Sequence, residues 1–300
     1  MQPLETATEP CALLRTGLVG KGIALSRTPA MHMAEAQGQG LCCDYRLHDM
    51  DAPENAGITL AQKLDQLEQL GYAGVNVTYP YKIAVIDHLT EMSENAAAVG
   101  AVNTVVFRDG KRCGHNTDLW GFAEGFRREF GNTGHDHALL VGAGGAGVAV
   151  AHALIDCGIA RLSIHDTDPD RAAQLAHQVT RNRPGARAQI TEDIAALIAR
   201  DRPQGVVNAT PMGMAKLPGS AFPVALLSAD MWVADIVYFP LETELLRGAR
   251  ARGCRTLEGA GMAVYQAVRA FELFTGRPAD PQRMKATFDA FDHETRILRP

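Results

Sequence analysis

Short apolar runs alternate with amphipathic stretches along the second half of the chain. Ala138–Val141 has the pattern of a buried strand ahead of an apolar helix at Val148–Cys157, and Arg161–His165 that of a strand ahead of a helix beginning at Pro169. Strands that alternate with helices form parallel sheets with helices on both faces. The pattern therefore predicts a doubly wound α/β domain in this part of the chain.

The first half of the chain also alternates between strands and helices. Leucines at helical spacing predict a helix from about Thr59 to Leu70. Strands are predicted at Leu13–Gly20, Tyr45–Met50, Gly100–Phe107 and Lys111–His115, together with one that contains Val75 and Val77. A helix is also predicted at Ala84–Leu89. With 300 residues the chain is long enough for two domains, each with its own core.

The stretch Gly74–Lys82 combines a buried strand with a display of polar side chains. Pro80 fixes a turn after the strand, and the turn presents the polar groups of Asn76, Thr78 and Lys82. Polar groups at the end of a rigid strand are well placed to contact a ligand. A single lysine after a strand is more often a solvated surface residue, so this stretch alone indicates only a candidate site.

Two hydroxyl side chains, Ser26 and Thr28, come directly before Pro29. Either hydroxyl could cap the helix that Pro29 opens. Alternatively, two hydroxyls spaced two residues apart could point the same way from an extended backbone and donate to a carboxylate. The residues alone leave both interpretations open.

A glycine-rich loop joins a predicted strand to a predicted helix. Gly142–Gly147 matches G-x-G-x-x-G in that context, in which the glycines allow a tight turn, close approach of a pyrophosphate and close helix packing. Asp166 follows the next strand, where a carboxylate accepts from the adenine ribose hydroxyls. Asn208–Gly213 lies at the carboxyl end of a further strand, where doubly wound sheets bind ligands. These features predict a dinucleotide site.

Composition and charge limit the partners and the location. The chain has 46% hydrophobic and 21% charged residues, which is typical of a globular protein. A net charge of -5 gives no basic footprint, so we expect no nucleic-acid partner. No apolar run approaches membrane length, and the first ten residues are polar and acidic, unlike a signal peptide. We therefore expect a cytoplasmic protein that does not bind membranes.

The 6 cysteines show no C-x-x-C pair and no regular spacing. They are predicted to be reduced, mostly buried thiols, and to form neither a disulfide framework nor a metal site. Adjacent Cys42 and Cys43 could be argued as metal ligands, but nothing nearby in the sequence completes a set. We therefore expect no metal.

Several short motifs, taken in order, resemble the shikimate dehydrogenase family along nearly the whole chain. They are Ser26-Arg27-Thr28-Pro29, Asn76-Val77-Thr78-Tyr79-Pro80-Tyr81-Lys82, Gly100-Ala101-Val102-Asn103-Thr104, Asn116-Thr117-Asp118, the glycine loop, Asn208-Ala209-Thr210-Pro211-Met212-Gly213, and Gly261-Met262 with Gln266. The resemblance implies an N-terminal α/β substrate domain (1–117), a Rossmann-type doubly wound parallel-sheet domain (118–259), and C-terminal helices (260–300) that return to the first domain. It also implies reversible NAD(P)-dependent oxidation of one ring hydroxyl of a cyclic polyol carboxylate.

The resemblance implies roles for the matching residues. Lys82 matches the catalytic lysine and Asp118 its partner carboxylate, in keeping with the base that oxidation of an alcohol requires. Ser26 and Thr28 would hold the substrate carboxylate, with Tyr238 as a helper. The other expected substrate contacts are Asn76, Thr78, Asn103 and Gln266. The expected cofactor contacts are Gly142, Ala143, Gly144, Gly145, Ala146, Gly147, Asp166, Arg171, Asn208, Thr210, Pro211, Met212, Val237, Gly259 and Met262.

Two departures from the family pattern bear on specificity. Thr28 replaces the usual second serine, as in members that oxidise quinate as well as shikimate. After the second strand of the nucleotide domain, NADP-using relatives carry Asn-Arg-Thr, whereas this chain has Asp166-Thr167-Asp168. Two carboxylates repel a 2′-phosphate, so we expect NAD in preference to NADP, although Arg171 lies close by in sequence.

These residues predict an NAD-dependent member of the family that acts on quinate, shikimate or both. The alternatives are an NADP-dependent shikimate dehydrogenase of aromatic amino acid biosynthesis, a relative acting on an amino analogue, and a nucleotide-binding regulator without turnover. A regulator without turnover would be expected to have lost Lys82 and Asp118. Both residues are present, so this alternative is disfavoured. We expect a monomer or a homodimer.

Overall fold

A computed structural model describes residues 11–131 and 136–297 of the chain, with side chains as far as Phe291. In this part the strands are β1 (Leu13–Gly20), β2 (Cys42–Asp49), β3 (Gly74–Val77), β4 (Glu91–Met92), β5 (Thr104–Arg108), β6 (Lys111–His115), β7 (His137–Val141), β8 (Arg161–His165), β9 (Arg187–Ile190), β10 (Gly205–Asn208), β11 (Trp232–Asp235) and β12 (Arg255–Leu257). The α-helices are α1 (Thr28–Gly38), α2 (Leu60–Gln69), α3 (Glu94–Val99), α4 (Thr117–Phe130), α5 (Gly145–Asp156), α6 (Pro169–Asn182), α7 (Ile194–Asp201), α8 (Glu244–Ala251), α9 (Ala260–Thr275) and α10 (Pro281–Ile297). None of the helices in these ranges is long and apolar enough to span a bilayer.

The first sheet is mixed, with the strand order β2-β1-β3-β5-β6-β4. Strand β1 pairs in parallel with both β2 and β3, and β3 pairs antiparallel with β5. All residues of β3 are buried. The polar motif that follows β3 therefore starts from a strand held in the middle of a sheet.

Helix α10 packs against α1. The guanidinium of Arg27 donates to the carbonyl of Phe288 at 3.1 Å and lies over the Phe288 ring at 4.7 Å. Buried Glu35 on α1 forms an ion pair with Arg283 on α10 at 2.7 Å. Helix α10 therefore returns to the N-terminal part of the chain, as predicted for the C-terminal helices.

The second sheet is entirely parallel, with the strand order β12-β11-β10-β7-β8-β9. The chain starts in the middle at β7, runs outward through β8 and β9, and then returns to the other side of β7. Leu140 packs into one apolar cluster, whereas Leu139 and Val141 pack into another, as the alternation of side chains along a strand requires. This is the predicted Rossmann-type topology, and the strand order reverses between β7 and β10.

By internal contacts, the described chain divides into two units. One comprises Met1–Thr90, Thr104–Cys113 and Ala270–Pro300, as far as these are described, and the other Glu91–Asn103 and Gly114–Arg269. The domain boundaries expected from the sequence, after residues 117 and 259, stay a prediction.

Some predicted elements are wrong in detail. The strand expected at Gly100–Phe107 begins only at Thr104, because Gly100 has φ of 70° and forms the left-handed end of α3. The helix expected at Ala84–Leu89 is a short 3-10 helix, Ala84–His88. The edge strands β9 and β12, which lie at opposite ends of the second sheet, were not predicted from the sequence.

The predicted reduced state is wrong for two of the cysteines, because Cys11 and Cys42 form a disulfide. Parallel pairing of β1 with β2 sets Cys42 opposite Leu13, which brings the Cα atoms of the two cysteines to 5.6 Å. That separation is typical of disulfides. Of the remaining thiols, Cys157 and Cys254 are buried, while those at positions 43 and 113 are half-buried.

Candidate functional site

The turn after β3 carries Thr78 and Lys82 and is fixed by main-chain hydrogen bonds. Thr78 N donates to Val19 O at 3.0 Å, and Tyr81 N donates to Thr78 O at 2.9 Å. A cis peptide bond joins Tyr79 to Pro80. Lys82 is half-buried just beyond this turn. The lysine therefore extends from a well-defined piece of backbone.

Ser26 and Thr28 lie at the start of α1. Arg27 is the cap residue, its backbone is helical (φ -84°, ψ -10°), and no side chain caps the helix. Thr28 N donates instead to Ser26 Oγ at 3.3 Å. The expected extended backbone and the alternative in which a hydroxyl caps the helix are both wrong, because the chain enters the helix one residue earlier than Pro29 suggests.

Asp49 holds the loop that leads to Ser26. Its carboxylate accepts from Asp51 N at 3.0 Å, Gly22 N at 3.1 Å and Ile23 N at 3.2 Å. These backbone donors, led by Asp51, keep the pKa of Asp49 below its ordinary value. The carboxylate is therefore ionised near neutral pH and fixes the backbone ahead of the two hydroxyls.

Asn103 and Gln266 meet at Thr117, the first residue of α4. Thr117 N donates to Asn103 Oδ1 at 2.7 Å, and Asn103 Nδ2 donates to Thr117 Oγ1 at 2.9 Å. Thr117 Oγ1 lies 3.5 Å from Gln266 Oε1. Asp118, the next residue, is half-buried in the first turn of α4. The structure thus gathers these expected substrate residues around one threonine.

The start of α4 is itself firmly held. Asn116 Oδ1 accepts from Leu119 N at 2.9 Å, and Asn116 Nδ2 donates to Ala101 O at 3.0 Å. A Cβ atom at Gly121 would lie 2.7 Å from both Gln266 N and Met262 O, so only glycine allows α4 to pack this closely on α9. The close packing fixes the position of Gln266 relative to the helix that carries Asp118.

The glycine loop leaves open space at the N-terminus of α5. A Cβ atom at Gly144 or Gly145 would meet no atom within 4 Å. Gly142 has φ of 105°, and a Cβ there would lie 2.8 Å from the Ala209 carbonyl carbon. A helix N-terminus without covering side chains fits a pyrophosphate, because it offers backbone N–H groups and a favourable dipole.

Asp166 is oriented by the glycine loop. Its carboxylate accepts from Ala143 N at 2.7 Å and from Asp168 N at 2.9 Å. Partial burial acts to raise the pKa of Asp166, but these backbone donors outweigh it and lower the pKa below its ordinary value of 3.8. Arg171 forms an ion pair with Asp168 at 3.2 Å. The arrangement fits an adenosine ribose that carries free hydroxyls.

The loop after β10 is held by a buried carboxylate on the neighbouring strand. Asp235 accepts from Asn208 Nδ2 at 2.9 Å, Val237 N at 3.0 Å and Thr243 Oγ1 at 2.7 Å. Burial raises the pKa of Asp235 despite these three donors. One carboxylate thereby ties together the ends of β10 and β11 and the start of α8.

Asn208 also holds the residues that follow it in place. Its Oδ1 accepts from Thr210 N at 3.0 Å and from Thr210 Oγ1 at 2.7 Å, and Met212 N donates to Thr210 Oγ1 at 3.1 Å. The loops after β7 and β10 flank the point where the strand order of the second sheet reverses. Doubly wound sheets bind their ligands at that point.

The other expected contacts of the second unit lie near the ends of β11 and β12. Val237 is buried, and a Cβ atom at Gly259 would come within 2.7 Å of Val237 O. Met262 is half-buried at the start of α9, and Tyr238 is 46% exposed. These residues border the same edge of the sheet as the loop after β10.

Two family models match the chain: the shikimate dehydrogenase substrate binding domain at residues 18–105 and the shikimate 5'-dehydrogenase C-terminal domain at residues 259–287. A "quinate/shikimate dehydrogenase (NAD(+))" of Corynebacterium glutamicum (strain R) is 49% identical over 91% of this chain and 96% of that protein.

This chain belongs to the shikimate dehydrogenase family.

Relatives within the family differ in the cofactor that they are named for. A "shikimate dehydrogenase (NADP(+))" of Streptomyces avermitilis is 48% identical over 90% of this chain and 93% of that protein. A solved quinate dehydrogenase from Corynebacterium glutamicum in complex with NAD has a TM-score of 0.90 and 46% identity, and covers 93% of this chain and 99% of that chain. Overall sequence identity therefore does not show which of the two cofactors a family member uses. That preference has to be inferred from individual residues near the cofactor.

In this member of the shikimate dehydrogenase family, several residues hold the predicted site residues in place, and sequence reasoning did not assign them that role. Thr117 stands inside the Asn116-Thr117-Asp118 motif and Asp235 ends a buried strand, so both had a local signal. Tyr45 donates to Asn76 from 31 residues away, and Asp49 accepts from Ile23 across 26 residues. Contacts over such distances leave no trace in local periodicity.

Proposed function

We propose that this protein is an NAD-dependent quinate/shikimate dehydrogenase, which reversibly oxidises one ring hydroxyl to the 3-dehydro ketone. Family membership supports the reaction class. The observation that carries the choice of NAD is the Asp166 carboxylate, held by Ala143 N at 2.7 Å beside the glycine loop.

The reaction removes a hydride from carbon and a proton from oxygen. NAD, when bound, supplies the hydride acceptor. In this proposal Lys82 takes the proton from the ring hydroxyl as a general base and returns it in the reverse direction. Asp118 orients the lysine and the reacting hydroxyl.

Hydroxyl and amide groups hold the substrate in this proposal. The hydroxyls of Ser26 and Thr28 donate to the substrate carboxylate, assisted by Tyr238. The methyl group of Thr28 shapes the space at the ring carbon that bears the carboxylate, where quinate has an additional hydroxyl. The ring hydroxyls are bound by Asn76, Thr78, Asn103 and Gln266.

The charges around Asp166 support NAD over NADP. A 2′-phosphate would come close to the carboxylates of Asp166 and Asp168, and like charges at short range repel each other. Arg171 is the nearby cation that could offset this repulsion, but it is already paired with Asp168 at 3.2 Å. The remaining cofactor contacts are proposed at the glycine loop and at Asn208, Thr210, Pro211, Met212, Val237, Gly259 and Met262.

Steady-state rates with quinate and shikimate, each with NAD and with NADP, test this function. Reduction of NAD with either substrate supports it. A strong preference for NADP with shikimate would instead support the alternative, an NADP-dependent shikimate dehydrogenase of aromatic amino acid biosynthesis. A cytoplasmic location and a monomeric or homodimeric state are proposed from the sequence alone.

A further inference from the structure

Tyr45 on β2 reaches the predicted substrate contact Asn76 on β3. The Tyr45 hydroxyl donates to Asn76 Oδ1 at 2.9 Å, and Asn76 Nδ2 donates to Thr104 Oγ1 at 3.0 Å. The exposed fractions are 7% for Tyr45, 4% for Asn76 and 0% for Thr104. The carboxamide of Asn76 therefore has a buried polar partner at each end.

The register of the first sheet brings these side chains together. Strand β1 pairs with β2 on one side and β3 on the other, so that Tyr45 lies opposite Thr16 and Asn76 opposite Leu18. Thr104 on β5 lies directly opposite Asn76. Because Thr16 and Leu18 are two residues apart, they face the same side of the sheet. The Tyr45 hydroxyl thus crosses β1 to reach the carboxamide.

Packing fixes the Tyr45 ring independently of its hydroxyl. Tyr45 shares a buried apolar cluster with Leu18 and Ile23, and the His32 ring lies 4.9 Å from the Tyr45 ring, measured between centroids. Burial raises the pKa of Tyr45 well above its ordinary value, so the hydroxyl keeps its proton near neutral pH. A change that removes only the hydroxyl would leave the ring in place.

The hydroxyl matters because the terminal torsion of an asparagine side chain is soft. The carboxamide can rotate through a broad range unless its ends are held. A phenol donates a hydrogen bond better than it accepts one, since the oxygen lone pair is partly delocalised into the ring. Tyr45 therefore selects the amide oxygen of Asn76 and directs the amide nitrogen towards Thr104.

We propose that Tyr45 is a positioning residue for the substrate, which acts by fixing the plane of the Asn76 carboxamide. This inference rests on the proposed function, in which Asn76 contacts a ring hydroxyl of the polyol carboxylate. A group that is fixed in advance loses little freedom on binding, which strengthens affinity. The contact is equal in the ground state and the transition state, so its loss raises KM and leaves kcat unchanged.

Tyr45→Phe tests the role because it removes the hydroxyl and keeps the ring. We expect KM for quinate or shikimate to rise about three- to tenfold, the effect of one neutral hydrogen bond. We expect kcat and KM for NAD to stay within about twofold of wild type. The control is Tyr72→Phe, the same chemical change at a buried tyrosine whose ring lies 5.6 Å from His48. It should leave all three constants unchanged, and thermal unfolding of both variants checks the fold.

A double-mutant cycle with Asn76→Ala separates positioning from general support of the fold. If Tyr45 acts through Asn76, Tyr45→Phe should lower kcat/KM by less than about twofold in the Asn76→Ala background. An equal fold-change in both backgrounds, or a parallel rise in KM for NAD, would overturn the proposal. Wild-type protein inactive on both substrates would refute the proposed function, whereas an active wild type matched by Tyr45→Phe would refute only the positioning role.

Discussion

Asn103 and Thr117 are joined by hydrogen bonds in both directions, among them one from Thr117 N to Asn103 Oδ1 at 2.7 Å and one from Asn103 Nδ2 to Thr117 Oγ1 at 2.9 Å. Both residues are buried. The carboxamide that is proposed to bind a ring hydroxyl is therefore fixed by the residue directly before Asp118. One threonine at the start of α4 thus sets the geometry of two proposed functional groups.

Thr117→Val should weaken turnover of the substrate, because it removes the hydroxyl acceptor of Asn103 Nδ2 and keeps the shape and the backbone donor. Without this hydrogen bond the Asn103 carboxamide is less firmly oriented, so we expect kcat/KM for the substrate to fall about three- to tenfold, the effect of one neutral hydrogen bond. Thr117→Ser retains the hydroxyl and should recover most of the loss. The measurement is steady-state kinetics with substrate and NAD varied separately.

The matched control is Thr180→Val, since the Thr180 hydroxyl donates to Ala176 O at 2.9 Å inside α6. It should leave kcat/KM near the wild-type value. An equal loss in both valine variants, or no recovery in Thr117→Ser, would contradict the role given to the Thr117 hydroxyl.

Lys82→Ala should abolish most turnover and leave cofactor binding intact. General acid–base catalysis contributes about 10²–10⁴-fold, so kcat should fall by that order. The dissociation constant of NAD, measured by titration calorimetry, should not change. Lys285→Ala is the control, because Lys285 is a lysine on α10 that pairs with Asp289 at 2.6 Å and has no proposed part in the reaction. Activity of Lys82→Ala close to that of Lys285→Ala would refute the assignment of Lys82 as the base.

Asp166→Ser should shift the preference from NAD towards NADP. The substitution removes a carboxylate that is proposed to accept from the ribose and to repel a 2′-phosphate. Hydrogen bonds to charged groups contribute about 1.5–3 kcal/mol, so KM for NAD should rise about tenfold or more, while KM for NADP should fall. Asp170→Ser removes one negative charge from the exposed start of α6 and serves as the control. A shift of the same size in Asp170→Ser would show that net charge, and not Asp166 itself, sets the preference.

Buried His32 should make the protein less stable in mild acid. Burial lowers its pKa from 6.5 to about 3, so that between these values the unfolded chain binds a proton that the folded chain does not. Stability is therefore lost as the pH falls below 6.5, by about 2 kcal/mol at pH 5 from this residue.

His32→Phe should remove this part of the pH dependence. The difference in unfolding free energy between pH 7.5 and pH 5, measured by denaturant titration, should shrink by about 2 kcal/mol. Taking the difference cancels any change in packing. His177→Phe, at an exposed position of α6, should leave the pH dependence unaltered. An unchanged difference in His32→Phe would mean that His32 does not carry the effect.

Local features of the fold could be predicted from the sequence. The strand β7, the glycine loop and α5 follow one another within a short stretch. The spacing of the glycines there has a direct physical reason, because it allows the tight turn and the close approach of a pyrophosphate. The same holds for Asp166, which directly follows β8. The edge strands β9 and β12 escaped prediction because they are short, contain no fully buried residue and lack the apolar run that marks the central strands.

Features that depend on distant parts of the chain could not be predicted. Cys11 and Cys42 are 31 residues apart in sequence, and only the pairing of β1 with β2 brings them together. The Tyr45 hydroxyl likewise donates to Asn76 across the intervening strand β1. The sequence placed Asn103 on a strand, whereas the left-handed backbone at Gly100 keeps that residue outside β5. Strand register thus brings Cys11 to Cys42 and Tyr45 to Asn76, and the left-handed backbone at Gly100 keeps Asn103 outside the strand.

The initial rate of NAD reduction with quinate and with shikimate, set against the rate of NADP reduction under the same conditions, is the most direct test of the proposed activity. We predict NADH formation with at least one of the two substrates and a kcat/KM for NAD that exceeds that for NADP by about tenfold or more, as the carboxylates at Asp166 and Asp168 require. A higher kcat/KM with NADP, or no reduction of NAD by either substrate, would contradict it.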